Sequence, residues 1–450
     1  MTGTRPSHPV DEMLPVVRLF AFGVQHALVM YSGTVAVPLV FAVAMHMSAA
    51  QTVLLINCGL MTSGIATIMQ SVGFGQFGSR LPIVQGSSFA MMASMLLIGQ
   101  VYGIRSVFGA VMGAGLAMVV LAPLMARLMR FFPQVIIGCL ITIIGLTLIP
   151  VAGRWVGGGT PGAPDFGSPI NLFLAFVTIL ITVAVQAWGR GFIANISVLV
   201  GLVAGSIVAA LCGMGHYAMV AQAPWFALSM PFAFGMPEFH VMPITIMLLS
   251  MIIIVAETAG NCLAIGRLVD VPVTDTTIAG ALRADGLSTL LGGAFNSFPY
   301  NAFTQNTGLV AMTDIRSRFV VAAAGGIMIG LGLFPKLGAL IAALPPPVLG
   351  GCGLVMFGMT TVGGVRELLH VRFEGTRNGL IAAVSLALGM LPTACPDLFA
   401  HLGGLWRLLL CNGVLLCILS GVTLNLLIGE RAPDGDGANA SPSIPIPPGT

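Results

Sequence analysis

Two groups of polar side chains stand out in a chain that is otherwise almost entirely apolar. Glu257 lies within the run MLLSMIIIVAETAGNCLAIG with Asn261 four residues further on, and the amides of Gln305 and Asn306 follow a break in a second apolar run. A carboxylate at the centre of a bilayer costs at least ~2.5 kcal/mol, so such a residue is by default functional. The carboxyl group can exchange a proton, and the amides can hydrogen-bond a polar ligand through both donors and acceptors.

The second group lies in the stretch NSFPYNAFTQNTGLVAMTD, residues 296–314, where Pro, Gly and amides interrupt hydrophobic sequence. Irregular backbone is stable at membrane depth only where it is buried in protein or lines a water-filled cavity. We expect a short extended segment, and then a short helix that Thr304 caps and that runs through Met312. Its free N–H groups would face acceptor atoms of a ligand. Alternatively, Gln305 and Asn306 only join helices within a bundle.

Further polar candidates lie in three other apolar segments. Asp285 is expected near the start of its segment, either as a proton-coupling group or as a paired residue at the membrane interface. His26, beside Gln25, has either a ligand-binding or a structural role. Ser88 and Phe89 follow a Pro- and Gly-containing break, where a helix start offers N–H groups and Phe89 offers a ring for stacking. That combination suits a flat heteroaromatic ligand.

The composition indicates a polytopic membrane protein in a lipid bilayer. Hydrophobic residues make up 57% of the chain and charged residues 7%, against about 25% charged residues in soluble domains. The cysteines show no paired spacing and are interpreted as packing residues. The sequence contains no HExxH motif or paired Cys/His array, so neither a metal site nor any cofactor other than a coupling proton is predicted. No nucleic-acid partner is expected.

The elements that position these residues are hydrophobic segments of bilayer-crossing length, about 20 residues each. We count fourteen and predict an all-α fold in which segments 3 and 10 are interrupted by short extended stretches. The predicted organisation is a cytoplasmic N-terminal segment 1–14, a first seven-span repeat 15–213, an extracellular loop 214–242, a second seven-span inverted repeat 243–428 and a disordered cytoplasmic tail 429–450.

Two sequence patterns support this organisation. With both termini in the cytoplasm, fourteen of the 18 Lys and Arg residues fall on the inner side, as the positive-inside rule requires. Sliding the chain by 213 positions lays 105–147 on 318–360 without a gap, and 12 of 43 positions match. Because the displacement is seven spans, an odd number, the halves must be inverted. Such 7+7 repeats bind substrate near the midplane, between interrupted segments.

The motif QNTG at 305–308, followed by Thr313, resembles the signature of the nucleobase–ascorbate transporters, the nucleobase:cation symporter-2 family. In that family the motif continues from Gln or Glu, Asn, any residue and Gly through four free positions to Thr and then usually Arg, Lys or Gly. Here Asp314 takes the last place. The resemblance extends over about 20–427. Uracil members of the family have Glu at the position of Gln305. With Gln there, the chain resembles the xanthine/uric acid permease branch.

The resemblance also implies roles for individual residues. Side chains at 257 and 305 and main chain at 88, 89 and 304 would hydrogen-bond a nucleobase, and Asp285 would take part in proton coupling. Many purine members have Asp at 261 and uracil members have His, whereas this chain has Asn261. The predicted substrate-binding residues are Glu257, Gln305, Asn306, Thr304, Ser88, Phe89, Gln25 and His26, and the predicted proton-coupling residues are Glu257, Asp285 and Asn261.

The function expected from these observations is proton-coupled uptake of xanthine or uric acid across the inner (plasma) membrane by alternating access. The resemblance also implies a homodimer with a transport core and a gate domain. A uracil-type nucleobase or anion transporter on the same 7+7 fold is the first alternative, although basic residues are not evident in the apolar core. An integral-membrane enzyme and a passive channel are weaker alternatives.

Overall fold

The computed structural model describes residues 8–128, 133–159, 161–214, 218–399, 401–402, 406 and 410–429, and the side chains of Ser32, Leu128, Ala218, Met219 and Gln305 lie outside the described part. The predicted disordered tail 429–450 lies outside it except for its first residue, and so do residues 1–7 of the predicted N-terminal segment.

The first half of the chain is helical with one short strand. Its elements are α1 (Val16–Ala44), α2 (Ala49–Val72), β1 (Gln85–Ser87), α3 (Met92–Tyr102), α4 (Ile104–Leu128), α5 (Gln134–Val156), α6 (Pro169–Trp188), α7 (Phe192–Asn195) and α8 (Ser197–Leu211). Short 3₁₀ turns at Pro9–Asp11 and Phe89–Met91 precede α1 and α3.

The second half has a similar order of elements. They are α9 (Ala218–Gln222), α10 (Val241–Leu268), α11 (Asp275–Ala294), β2 (Tyr300–Ala302), α12 (Thr304–Thr313), α13 (Arg318–Gly332), α14 (Pro335–Ala342), α15 (Pro346–Leu369), α16 (Asn378–Ala394) and α17 (Gly413–Ile428).

Seven of the helices in the described residues are long and apolar enough to cross a membrane. The bent pair α13 and α14, with an angle of 78° between them, adds an eighth if it counts as one span. Shorter apolar helices include α8, α16 and α17. The all-α polytopic class is therefore confirmed, and the count of fourteen spans stays a prediction.

The two strands pair with each other across the halves of the molecule. β1 and β2 are antiparallel, with Gln85 opposite Ala302, Gly86 opposite Asn301 and Ser87 opposite Tyr300. Flanking bonds extend the pairing, from the Phe303 N–H to the Val84 carbonyl at 2.8 Å and from the Ser88 N–H to the Pro299 carbonyl at 2.9 Å. Mutual pairing satisfies the backbone groups of both breaks, which apolar surroundings require.

The packing of the long helices follows the repeat found in the sequence. α4 packs along α11, α13 packs along α2, and α5 packs along α15. The 213-residue displacement maps α4 onto α13 and α5 onto α15, so equivalent helices make equivalent contacts in the two halves.

Small residues allow α2 and α13 to approach closely. A Cβ added to Gly325 would lie 2.7 Å from the Gly64 carbonyl oxygen and 2.8 Å from Ile68 Cγ1, whereas a Cβ added to the neighbouring Gly326 would meet nothing within 4 Å. We expect Gly325→Ala to lower the free energy of unfolding by about 1–3 kcal/mol, since backbone must move. Gly326→Ala is the matched control, because Ala is the better helix former.

Thermal denaturation of both purified variants in detergent tests this expectation. The Gly325 variant should unfold at a lower temperature than the wild type, and the Gly326 variant should unfold at or above the wild-type temperature. Equal unfolding temperatures for the two variants would show that α2 leaves room for a methyl group at position 325 of α13.

Candidate functional site

The predicted carboxylate on α10 faces the break between β2 and α12. Asn301, in the middle of β2, donates from Nδ2 to Oε2 of Glu257. Asn301 is 8% exposed and Glu257 is partly buried. The strand fixes the position of Asn301, because its backbone pairs with Gly86 of β1. One carboxyl oxygen of Glu257 is therefore engaged by protein.

Asn261 lies one turn further along α10 and joins that helix to the same break. Its Nδ2 lies 2.9 Å from the Glu257 carbonyl oxygen, 3.3 Å from the Ala302 carbonyl oxygen and 3.3 Å from Thr304 Oγ1. Its Oδ1 accepts from Thr307 Oγ1 at 3.2 Å. Both ends of the amide are engaged, so this side chain holds α10, β2 and α12 in register.

Asp285 lies at the centre of a second polar cluster. Its Oδ1 accepts from Gln85 Nε2 and its Oδ2 accepts from Thr258 Oγ1, both at 2.6 Å. The residue is fully buried. The sequence placed it near the start of a segment, but α11 begins at Asp275, where Thr274 forms a capping box with Thr277. Asp285 is consequently in the middle of α11, and the prediction that it lies near the start of its segment was wrong.

Asn306 ties α12 to α1. Its Nδ2 donates to the His26 backbone carbonyl at 3.1 Å and lies 3.0 Å from His26 Nδ1. His26 Nδ1 can accept from this amide in the tautomer that carries the ring proton on Nε2. Both side chains are buried. Gln25, the preceding residue on α1, is partly buried.

The start of α12 differs from the prediction in its cap. Phe303 is the N-cap residue and makes no side-chain cap bond, and Thr304 is the first helical residue, so Thr304 does not cap the helix. Its hydroxyl instead accepts from Asn261. The helix ends at Thr313, one residue beyond the predicted Met312. Gln305 lies in the first turn, and its side chain is outside the described part of the chain.

The Phe303 ring packs closely against α1 and β1 at the start of α12. An added Cβ at Gly86 of β1 would lie 2.5 Å from the ring, and one at Gly33 of α1 would also overlap it. The ring thus fills a space that two glycines leave between α1 and β1. A larger residue at either glycine would require the Phe303 ring to move.

Ser88 and Phe89 lie directly after β1, as predicted, and precede α3. The Ser88 N–H is used by the Pro299 carbonyl. The N–H of Phe89, at the start of the 3₁₀ turn, is one of the donors that a helix start leaves without an intrahelical partner. The Phe89 ring makes an edge contact with Phe357 of α15, with ring centroids 5.5 Å apart. Phe89 therefore bridges two parts of the fold.

Sequence reasoning missed three of the side chains that surround the predicted residues. Asn301 is adjacent to Glu257, and Gln85 and Thr258 hold Asp285. Asn301 lies within the broken stretch, and Thr258 is the next residue after Glu257. Both were within reach of a search for polar residues near the carboxylates. Gln85 lies in the Pro- and Gly-containing break that precedes Ser88.

Comparison with known proteins identifies the family. The permease family that includes the nucleobase–ascorbate transporters matches residues 17–398. This chain is a member of that family. The permease is 39% identical over 426 residues to the uric acid transporter UacT of Escherichia coli, which covers 94% of this chain and 88% of UacT. It is 37% identical over 410 residues to the xanthine permease of Bacillus subtilis, covering 91% and 93% of the two chains.

The fold of the permease is also found in more distant transporters. It aligns with the transmembrane domain of the cyanobacterial bicarbonate transporter BicA at a TM-score of 0.57 and 16% identity, covering 91% of the permease and 96% of that chain. It aligns with SLC26A9 at a TM-score of 0.64 and 12% identity, covering 92% and 66%. These proteins have the 7+7 inverted repeat, which confirms the predicted fold class, and at such identities they carry information on the fold alone.

Proposed function

We propose that this permease takes up xanthine or uric acid together with a proton, by alternating access. The observation that carries the proposal is the placement of the half-buried Glu257 against the β2–α12 break, where Asn301 and the first turn of α12 adjoin it. The names of relatives at 36–39% identity support the substrate class.

The substrate chemistry follows from the groups around the break. Glu257 offers an acceptor to a ring N–H, and the helix start of α12 offers N–H groups to a carbonyl or ring nitrogen. The ring of Phe89 provides a flat apolar surface. An oxidised purine, which alternates N–H donors with carbonyl acceptors around a flat ring, matches this set of groups.

Alternating access would require contacts between the two parts of the fold to open and close. Asn412, just before α17, donates to Ser94 of α3 at 2.7 Å, and Ser94 bonds Ser250 of α10 at 2.6 Å. All three residues are buried. We propose that α3 and α10 belong to the moving transport core, that α17 belongs to the gate domain, and that this polar contact breaks when the core moves.

The assembly and orientation that accompany this function are also proposals. We place the permease in the inner (plasma) membrane as a homodimer, with both termini in the cytoplasm, because the basic residues favour that orientation. Asp285 and Glu257 are the proposed proton-coupling residues, and Asn261 supports them by positioning the break.

Uptake into proteoliposomes tests the proposed function. We expect radiolabelled xanthine or uric acid to accumulate when the outside is acidic, and the accumulation to collapse when a protonophore is added, because a coupled carrier is driven only by the gradient. Uracil should accumulate poorly. Accumulation that is unchanged by the protonophore would rule out proton coupling. Preferential uptake of uracil or of bicarbonate would favour the alternative transporter classes.

A further inference from the structure

The hydrogen-bond partners of Asp285 are neutral side chains. Its two carboxyl oxygens accept from Gln85 of β1 and from Thr258 of α10, both at 2.6 Å, and all three side chains are fully buried. None of the ion pairs in the described part of the chain involves Asp285. The titratable side chains that interact electrostatically with it are Glu257 and Cys262, both on α10. Within the described residues, no paired cation therefore holds Asp285 in its ionised form.

A buried carboxyl group that gains and loses a proton needs partners that suit both of its forms. The ionised form only accepts hydrogen bonds, whereas the protonated form has one O–H group to donate. A partner that can only donate, such as an Arg or Lys side chain, cannot accept from that O–H group, and a buried group without a partner is costly. A hydroxyl group both donates and accepts, so it suits either form.

Thr258 provides such a hydroxyl group. While Asp285 is ionised, the hydroxyl donates to Oδ2. Once Oδ2 carries a proton, the Thr258 oxygen can accept from it. The Thr258 hydrogen then turns toward the preceding turn of α10, where Ser and Thr hydroxyls in helices commonly meet a backbone carbonyl. Gln85 can donate to the other carboxyl oxygen in both forms, so the exchange needs only the rotation of a hydroxyl hydrogen.

The position of Thr258 joins the two carboxyl groups that the proposed function uses. Glu257 and Thr258 are consecutive residues of α10, and consecutive side chains of a helix point about 100° apart. Glu257 therefore meets Asn301 of β2, while Thr258 meets Asp285 of α11. A change in the bond between Thr258 and Asp285 acts on the same turn of α10 that presents Glu257.

We propose that Thr258 is a positioning residue for the proton step of transport. Its hydroxyl donates to Asp285 while the carboxyl group is ionised, and accepts from the carboxyl group once a proton has bound. That proton comes from the water on one side of the membrane and leaves to the water on the other side, and Thr258 keeps its own hydrogen throughout. The inference rests on the proposed function, because it takes Asp285 to carry the proton.

Two substitutions in the full-length protein, reconstituted into proteoliposomes, test the inference. Thr258→Val keeps the shape of the side chain and removes the hydroxyl, whereas Thr258→Ser keeps the hydroxyl and removes a methyl group. With radiolabelled xanthine and an acidic outside, we expect Thr258→Val to accumulate at least about tenfold less than the wild type, as for one unpaired buried group. Thr258→Ser should accumulate xanthine within about threefold of the wild type.

Purine exchange separates the proton step from binding. With equal pH on both sides and unlabelled xanthine inside, labelled xanthine enters by exchange, which needs no net movement of protons. Thr258→Val should retain exchange within about threefold of the wild type, because the loaded carrier can return without releasing its proton. A residue with a purely structural role would instead lower exchange and accumulation together.

Two more variants complete the comparison. Thr258→Ala removes the same hydroxyl from a smaller side chain and should give the same split between exchange and accumulation, so it carries the test if the Val variant does not fold. Thr182→Val is the matched control, because Thr182 is a fully buried residue of α6 whose hydroxyl donates to the Thr178 carbonyl. It should match the wild type in both measurements.

The outcomes distinguish this inference from the proposed function. Accumulation at the wild-type level per folded molecule in Thr258→Val would overturn the inference and leave the proposed function intact. Equal losses in the Val and Ser variants, a loss of exchange in step with accumulation, or the same split in Thr182→Val would overturn it as well. If the wild type exchanges xanthine but does not accumulate it under a proton gradient, the proposed coupling fails, and the inference fails with it.

Discussion

Glu257→Gln is expected to abolish proton-driven accumulation while the protein still folds. Gln keeps the length of Glu, and its amide oxygen can accept the bond from Asn301 that Oε2 now accepts. The amide nitrogen would then face the ligand, so a donor would meet a ring N–H. We expect binding of the oxopurine to weaken by about tenfold or more, as for an unpaired buried group. Accumulation should fail entirely, because an amide does not exchange a proton.

Three measurements on the same preparation test this expectation: monodispersity in detergent, oxopurine binding and uptake driven by a pH gradient. Glu257→Asp should keep part of the uptake, since it retains a carboxyl group but shortens its reach to Asn301. Thr245→Val is the matched control on α10, because Thr245 is exposed and its hydroxyl bonds only the Val241 carbonyl. Gradient-driven uptake at the wild-type rate per folded Glu257→Gln molecule would remove Glu257 from the coupling step.

The features predicted from the sequence are those that depend on local pattern or on comparison of the chain with itself. The long apolar runs predicted a polytopic helical fold, and the match of 105–147 with 318–360 predicted inverted halves. The cost of a carboxylate among apolar residues singled out Glu257. Each of these signals is visible within one segment or one alignment.

The contacts that define the site could not be predicted because they join distant segments. Gln85 and Asp285 are 200 positions apart, and Asn301 is 44 positions from Glu257. Which side chains meet depends on the pairing of β1 with β2, and a one-residue slip in that pairing would turn Asn301 to the other face. The prediction that Thr304 caps α12 failed for a similar reason, because the Thr304 hydroxyl accepts a hydrogen bond from Asn261 on another helix.

Asp285→Asn is expected to leave a folded protein that binds the oxopurine within about threefold of wild type, which is a small change in free energy, but does not accumulate it. Both oxygens of Asp285 accept hydrogen bonds. Asn can keep the network, because the Gln85 amide can turn so that its unpaired Oε1 accepts, or the Thr258 hydroxyl can rotate to accept. The substitution therefore removes a titrating charge with little change in packing.

Asp285→Ala provides the contrast, because it removes both acceptors at once. The Gln85 amide and the Thr258 hydroxyl would lose their partners in a fully buried place, at about 1–3 kcal/mol for each unsatisfied group. This variant should unfold at a lower temperature in detergent, which the Asn variant should not. If Asp285 only stabilises the fold, uptake per folded molecule should be normal in Asp285→Asn. Failure of gradient-driven uptake in that variant, with binding and thermal midpoint retained, would instead assign Asp285 to proton coupling, because only the titrating group has been lost.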